Sequence, residues 1–358
     1  MNRILVYGMT DNLGGIESYV MNLYSLIDTQ KAVFDFVVDF PNMSYRDIAE
    51  SKGSLIHFIP AKSKDIVNHL KGFYRILKEH PEYQKIYFNV LDAGSAITMF
   101  IPWIMGREII VHSHSSSASN LKLHKLCKPF LNLFAKKRYA CSKVAGEHMF
   151  YNKSAILIPN AIDCNKYIFS PERKLIVRQK LGLPEEAFVL GYVGRLSTEK
   201  NLFFLLDVFK SILEKNQNAH FVLAGDGEEK DKLLDYAKEI GVCDKVNFLG
   251  RRGDIYDVLQ AYDVFCMTSI YEGLSFVAIE AQAAGLPCVF SNGMSQETKL
   301  NDNVTFVSLQ ESPGKWADVI LEQFQLPRCM DQSALQSAGY DLSCPNETQK
   351  NLLEYFYE

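Results

Sequence analysis

Two glutamates, Glu272 and Glu280, stand eight positions apart in the stretch Tyr271–Ala281. Glu272 falls in a Gly-bearing loop after the apolar run Val264–Met267, and Glu280 falls among Phe276, Val277, Ala278, Ile279 and Ala281. Gly285-Leu286-Pro287 ends that apolar run as a helix stop would. A carboxylate on so apolar a helix has no solvated face. Buried, ionised and unpaired it would be costly, so Glu280 is expected to meet a partner or a ligand. Two cations, Arg195 and Lys200, flank another loop, Gly194–Asn201, between a strand-like run and an apolar helix. Arg grips phosphate oxygens bidentately and Lys acts as a mobile point charge, so the pair suits a diphosphate. The competing reading is a solvated pair of salt-bridging side chains.

The front of the chain offers a second anion-binding pattern. The strand-like Ile4–Tyr7 runs into Gly8-Met9-Thr10-Asp11-Asn12-Leu13-Gly14-Gly15, and Ile16, Val20, Leu23 and Ile27 then recur at helical spacing. Strand, Gly loop and helix N-terminus point free N–H groups at one place. No Gly-x-Gly-x-x-Gly is present, and Gly14-Gly15 equally fits a plain tight turn. His112-Ser113-His114-Ser115-Ser116-Ser117 follows the strand-like Ile109–Val111, which puts two imidazoles at a strand's carboxyl end. A capping or core role is the alternative for either His.

These residues need elements to hold them. Strand-like runs at 34–38, 55–59, 86–90, 109–111, 138–142 and 155–158 alternate with helical segments such as 65–77. This is the pattern of a doubly wound parallel sheet. Ligands bind at the carboxyl ends of such strands. After Pro159-Asn160-Ala161-Ile162-Asp163 the alternation starts again. Strands are expected at 187–193, 220–223, 246–249, 263–267 and 288–291, with helices at 174–181 and 202–213. Asp226, with Glu229 three residues later, reads as a capping box, and Asn201 as a helix cap. Helices at 316–324 and 348–356 close the chain. The expected division is 1–165, 166–335 and a tail, 336–358, packing towards the front domain.

The 358 residues suffice for two domains, and 47% hydrophobic with 22% charged residues describes a folded globular chain. Residues 1–165 carry 19 cations against 14 acids, or +5, and residues 166–358 carry 19 against 28, or −9. That asymmetry suggests different partners for the two halves, but no part is basic enough for nucleic acid. The eight cysteines show no Cys-x-x-Cys and read as buried reduced thiols. No signal peptide or membrane span is visible, so a cytoplasmic setting is expected. Leu121–Arg138 stands apart. Six Lys or Arg interleave with Leu and Phe, without an acid and with Pro129 interrupting. Such a stretch suits contact with an anionic membrane face, or else an ordinary surface helix.

Taken together, Glu272 and Glu280, Arg195 and Lys200, Pro159–Asp163 and Gly14-Gly15-Ile16-Glu17 occur in an order that resembles the retaining GT-B glycosyltransferases of family 4. The His112–Ser116 run further resembles the bacterial capsular and exopolysaccharide members. The resemblance implies an α/β fold of two Rossmann-like domains facing a cleft, the back domain binding a nucleotide-sugar and the front domain the acceptor. By the same resemblance Arg195 and Lys200 hold the donor diphosphate, helped by Gly15 and by backbone N–H groups of Gly273, Leu274 and Ser275. Glu280 holds the ribose, Glu272 faces the transferred sugar, and His114, with His112 as fallback, is the active-site imidazole. Asn201 departs from the Gly that many members carry. The implied reaction moves a hexose or N-acetylhexosamine from a UDP-sugar to a lipid-linked saccharide at the inner membrane face. With no Asp-x-Asp in the sequence, no metal or other cofactor is expected. A non-catalytic partner subunit of another transferase is the alternative, but such a protein should have lost part of the Arg/Lys/Glu/Glu set. An epimerase on the same fold is disfavoured.

Overall fold

The computed structural model describes residues 1–12, 14–115, 117–118, 120–151 and 155–358. Leu13 of the front Gly loop and Ser116 of the His/Ser run lie outside the described residues. The chain divides into two compact units, Met1–Ile162 with Cys344–Glu358, and Asp163–Ser343.

The front unit alternates strands β1 (Asn2–Tyr7), β2 (Ala32–Val38), β3 (Ile56–Phe58), β4 (Lys85–Val90), β5 (Glu108–Ser113), β6 (Lys137–Ala140) and β7 (Ile156–Leu157) with helices. The helices are α1 (Gly15–Ser25), α2 (Arg46–Ser51), α3 (Ile66–Glu79), α4 (Ala96–Ile104), α5 (Leu121–Phe134) and α6 (Lys143–Met149). All pairings are parallel, in the order β3-β2-β1-β4-β5-β6-β7. The central strands are apolar runs because helices cover both faces of such a sheet.

The back unit repeats the scheme. Its strands are β8 (Phe188–Val193), β9 (Ala219–Ala224), β10 (Val246–Phe248), β11 (Val264–Met267), β12 (Cys288–Ser291) and β13 (Val304–Val307). Its helices are α7 (Pro171–Lys180), α8 (Leu202–Lys215), α9 (Lys230–Glu239), α10 (Ile255–Ala261), α11 (Phe276–Ala283), α12 (Pro313–Phe324) and α13 (Ser333–Ser337). The sheet is parallel, in the order β10-β9-β8-β11-β12-β13. A last helix, α14 (Glu347–Tyr357), belongs to the front unit. Phe356 packs edge-on against Phe34 at 5.3 Å and against Tyr87 at 5.4 Å.

In both sheets the strand order reverses beside the first strand of the unit, between β1 and β4 and between β8 and β11. Crevices open at the carboxyl ends of strands at such a switch. The loops after β8 and β11 carry Arg195, Lys200 and Glu272. The loop after β1 carries Gly14.

Some local expectations give way. Pro129 does not break α5, which runs through it. The carbonyl its ring leaves unpaired belongs to Lys125, whose exposed position gives it water. Asp226 and Glu229 form no capping box. Helix α9 starts only at Lys230, Asp226 Oδ1 accepts from Gly227 N at 3.0 Å, and Glu229 instead accepts from the Thr198 hydroxyl at 2.9 Å.

Candidate active site

In the back unit, glycine sets the shape of the loop after β8. A Cβ on Gly225 would run into the Gly194 carbonyl, and one on Gly227 would run into Leu196. Their absence lets the two loops lie in contact. Leu196 N donates to Asp226 O at 3.0 Å, and Glu229 N to Leu196 O at 3.1 Å. A 3₁₀ turn, Thr198–Lys200, then leads to Asn201 in the left-handed region, at φ 55° and ψ 45°. Asn201 makes no side-chain cap. The expectation of a capping Asn is therefore corrected: the position demands a left-handed backbone, which Gly adopts freely and Asn better than most.

The turn at Lys200 is tied to the loop after β11. Ile270 N donates to Glu199 O at 2.8 Å, and the Thr268 hydroxyl reaches Lys200 O at 3.2 Å. Glu272 is held on both sides of its own peptide units, with its N–H donating to Gly293 O at 3.1 Å and its carbonyl accepting from Ser295 N at 3.0 Å. Across this frame Lys200 Nζ and the Glu272 carboxylate form an ion pair, with side chains 15% and 19% exposed. The cation and the carboxylate are thus preset. Arg195 is different: its side chain is 67% exposed and lies 3.1 Å from Glu228. It does not join the Lys200–Glu272 pair.

Gly273 and Leu274 are half-buried and Ser275 is buried at the start of α11. Ser275 makes no side-chain cap there. The first-turn N–H groups of α11 therefore keep their donors, at the positive end of the helix dipole. One turn on, Glu280 Oε1 accepts from the Tyr167 hydroxyl at 2.6 Å. Part of Glu280 reaches the surface, yet protein surrounds the carboxylate. Desolvation raises its pKa above the ordinary Glu range, and the Tyr167 hydrogen bond offsets this in part. The partner required for a carboxylate on an apolar helix is thus a phenol.

In the front unit, the loop after β1 closes on its own helix. Glu17 is buried in the first turn of α1, and its Oε1 accepts from Thr10 N at 3.2 Å and from the Thr10 hydroxyl at 2.5 Å. Gly15 opens that helix, and Gly14 leaves room beside Glu17. His112 is the fifth residue of β5 and fully buried; His114 lies just beyond the strand. Their rings stack at 4.3 Å, and Tyr19 packs against both at 4.6 and 4.8 Å. His112 Nδ1 shares a 2.7 Å hydrogen bond with Tyr87 OH, which lies 3.0 Å from Tyr19 OH. His114 Nε2 lies 2.9 Å from Asn89 Oδ1. An amide oxygen only accepts, so the ring donates from Nε2. Burial holds His112 well below the imidazole range, with His114 adding to it, and lowers His114 to about 3. Both rings are neutral near pH 7. His112 Nε2, His114 Nδ1 and Asn89 Nδ2 are buried without a partner among the described residues. Unpaired buried polar atoms at a strand's carboxyl end are what a ligand would satisfy.

Residues 174–333 match the family model "Glycosyl transferases group 1". EpsF of Bacillus subtilis, whose name assigns it provisionally as a glycosyltransferase, is 29% identical over 351 residues, spanning 92% of this chain and 90% of that protein. These likenesses make the chain a glycosyltransferase, with the group 1 match lying in its back unit. An Escherichia coli enzyme named UDP-Gal:alpha-D-GlcNAc-diphosphoundecaprenol alpha-1,3-galactosyltransferase is 32% identical over 257 residues, 66% of this chain and 65% of its own. Among solved structures, HepE of Anabaena in complex with UDP-glucose superposes with a TM-score of 0.82 at 21% identity, covering 99% of this chain and 100% of that one. That likeness places this glycosyltransferase in the GT-B fold.

Sequence reading of this glycosyltransferase missed several site residues. Tyr167 is 113 positions from Glu280, and nothing local marks it. The Gly293–Ser295 segment that holds Glu272 carries no chemistry of its own. Asn89 did leave a signal: it is a polar residue near the carboxyl end of a strand that is otherwise apolar or aromatic from Ile86 on, and it is 3% exposed. Among the described residues no cluster of His, Cys, Asp and Glu has a metal-binding arrangement, and no helix is long and apolar enough to cross a membrane.

Proposed function

We propose that this glycosyltransferase moves a hexose or N-acetylhexosamine from a UDP-sugar to a lipid-linked saccharide, with retention of anomeric configuration and without a metal. The Lys200–Glu272 pair carries the reading. A cation and a carboxylate are preset at the switch point of the back sheet, beside the uncapped start of α11. Lys200 and the α11 N–H groups would meet the diphosphate and Arg195 would be recruited from solvent to it. Glu280 would accept from the ribose hydroxyls and Glu272 would face the sugar. When the sugar C1–oxygen bond breaks, negative charge grows on the diphosphate, and donors fixed in advance stabilise it most at that moment. The acceptor hydroxyl would attack C1 from the face the diphosphate leaves, its proton passing to a phosphate oxygen. The front unit, with His114 at its sheet's carboxyl edge, would take the acceptor. Two relatives support the substrates: HepE was solved with UDP-glucose, and the E. coli enzyme's name gives it a lipid-diphosphate acceptor. The reaction would serve capsule or exopolysaccharide synthesis, the setting implied by the resemblance that the His112–Ser116 run carries.

The test is to incubate the protein with UDP-, GDP- and ADP-sugars and membrane extract, in the presence of EDTA. Release of UDP and a product with the donor's anomeric configuration is expected. Inversion would refute the front-face step, and loss of turnover in EDTA the metal-free one. Unchanged polymer synthesis with Glu272→Gln would refute the role of Glu272.

A further inference from the structure

The basic, apolar stretch noted in the sequence becomes part of a larger surface in the structure. On α5 the buried side is His124, Cys127, Leu131 and Phe134. Leu126, Phe130 and Leu133, spaced i, i+4 and i+7, lie on the open side. Helix α4 packs beside α5 and exposes Phe100, Trp103 and Ile104. These six side chains are 42–68% exposed, far more than single stray apolar residues would require. Three of them meet at Phe134, whose ring lies 4.8 Å from Trp103 and 6.3 Å from both Phe100 and Phe130. On the other side of α4 packs α3. Across the three helices Lys71, Arg75, Lys78, Lys122 and Lys125 stand against a single acid, Glu79, while Lys128 turns back to the His148 carbonyl at 2.6 Å.

We propose that α3, α4 and α5 form a docking surface for an anionic lipid bilayer, with the six apolar side chains of α4 and α5 entering the boundary between headgroups and acyl chains. An apolar strip bordered by lysines complements a surface of anionic headgroups over hydrocarbon. A protein partner is the poorer fit, since lysine is depleted in protein interfaces. The inference deepens the reading of a lipid-linked acceptor. Helices α4 and α5 both start from the carboxyl edge that carries His114, so a bilayer seated on them would meet that edge.

The chain has two tryptophans, Trp103 on this surface and Trp316, fully buried in the back unit. Trp103 is therefore a built-in reporter. The intact protein should sediment with vesicles of phosphatidylglycerol and phosphatidylcholine but not with phosphatidylcholine alone. On binding, Trp103 emission should shift to the blue and be quenched by brominated acyl chains, and Trp103→Phe should remove that response. Lys122→Ala with Lys125→Ala should weaken partitioning about thirtyfold, at one surface lysine's usual contribution each. Leu126→Ser with Leu133→Ser should abolish binding while leaving thermal unfolding, and transfer to a water-soluble acceptor analogue, unchanged. Retained transfer alongside lost vesicle binding separates this inference from the enzymatic reading. Equal binding to zwitterionic vesicles, binding without quenching of Trp103, or lipid-free dimers that shield Trp103 would overturn it.

Discussion

Glu280 is a carboxylate surrounded by protein on a helix whose one other polar side chain is Gln282, and replacing it with Gln should make the back unit more stable and a poorer donor binder. The side chain keeps its shape, and the Tyr167 hydroxyl can still donate to the amide oxygen; only the charge goes. The folded state raises this carboxyl's pKa through desolvation, so it holds the proton more tightly than the unfolded chain does. The cost of ionisation is absent below the unfolded pKa of about 4.3 and complete above the folded one. Gln never bears it. Removing such a functional charge typically gains about 0.5–2 kcal/mol, which for a unit of this size is a Tm rise of roughly 1–8 °C. The gain should be largest near pH 7.5 and vanish as pH falls through the folded pKa towards the unfolded one. A ribose hydroxyl that donated to a charged oxygen would then donate to a neutral one, a loss of about 1–1.5 kcal/mol, or roughly five- to tenfold in the Kd for UDP. Thermal unfolding of both proteins between pH 4 and 8, with calorimetric titration of UDP, measures each half. A Gln variant that is less stable at pH 7.5, or a difference that does not change with pH, refutes the electrostatic argument. A stability gain with unchanged UDP affinity refutes the ribose assignment.

Other consequences can be tested with single substitutions. Lys200→Ala should lower kcat/KM by about 10²–10³, the usual loss for one fixed donor to a leaving group; Arg195→Ala, starting from an exposed side chain, should cost less at every salt concentration, and initial rates decide between them. Asn201→Gly should leave stability unchanged or raise it by up to about 1 kcal/mol, because Gly adopts the left-handed backbone without penalty and no side-chain cap is lost; Asn201→Val should lower it by at least as much in urea titration. Gly225→Ala, which drives a methyl into the Gly194 carbonyl, should cost at least about 2 kcal/mol by thermal unfolding and reduce donor binding with it.

The two sheets were legible because a buried parallel strand is a short apolar run between loops, and that pattern survives without any knowledge of its neighbours. Strand β13 escaped because it is short and its middle residues, Thr305 and Phe306, are only half-buried, so it lacks a continuous apolar signal. Lys200 and Glu272 could each be picked out by type and by position after a strand. Their pairing could not, because it depends on how the loops after β8 and β11 are tied together by backbone hydrogen bonds, which any sequence can make. Glu280 was conspicuous as a charge among apolar residues, and its need for a partner followed from solvation alone. That the partner is Tyr167 depends on tertiary structure. In the front Gly loop, Thr10 donates from its N–H and its hydroxyl to the buried Glu17, a tie between loop and helix that no spacing announces.

The placement of α14 has a consequence for how the chain is made. Asn2 Nδ2 donates to the carbonyls of Phe356 and Tyr357 at 3.2 and 3.0 Å, and Lys85 Nζ to that of Tyr355 at 2.6 Å. Strand β1 is therefore completed by a helix that leaves the ribosome only after the whole back unit has done so. Between the emergence of Ile162 and of Cys344 the ribosome needs about 10–40 s at ordinary elongation rates. For that interval Phe34 and Tyr87 lack their Phe356 cover, and the back unit can finish folding before the front one. A nonsense codon shortly before Glu347 would leave the back unit whole and the front unit permanently open, a product that quality-control proteases should recognise by the front sheet.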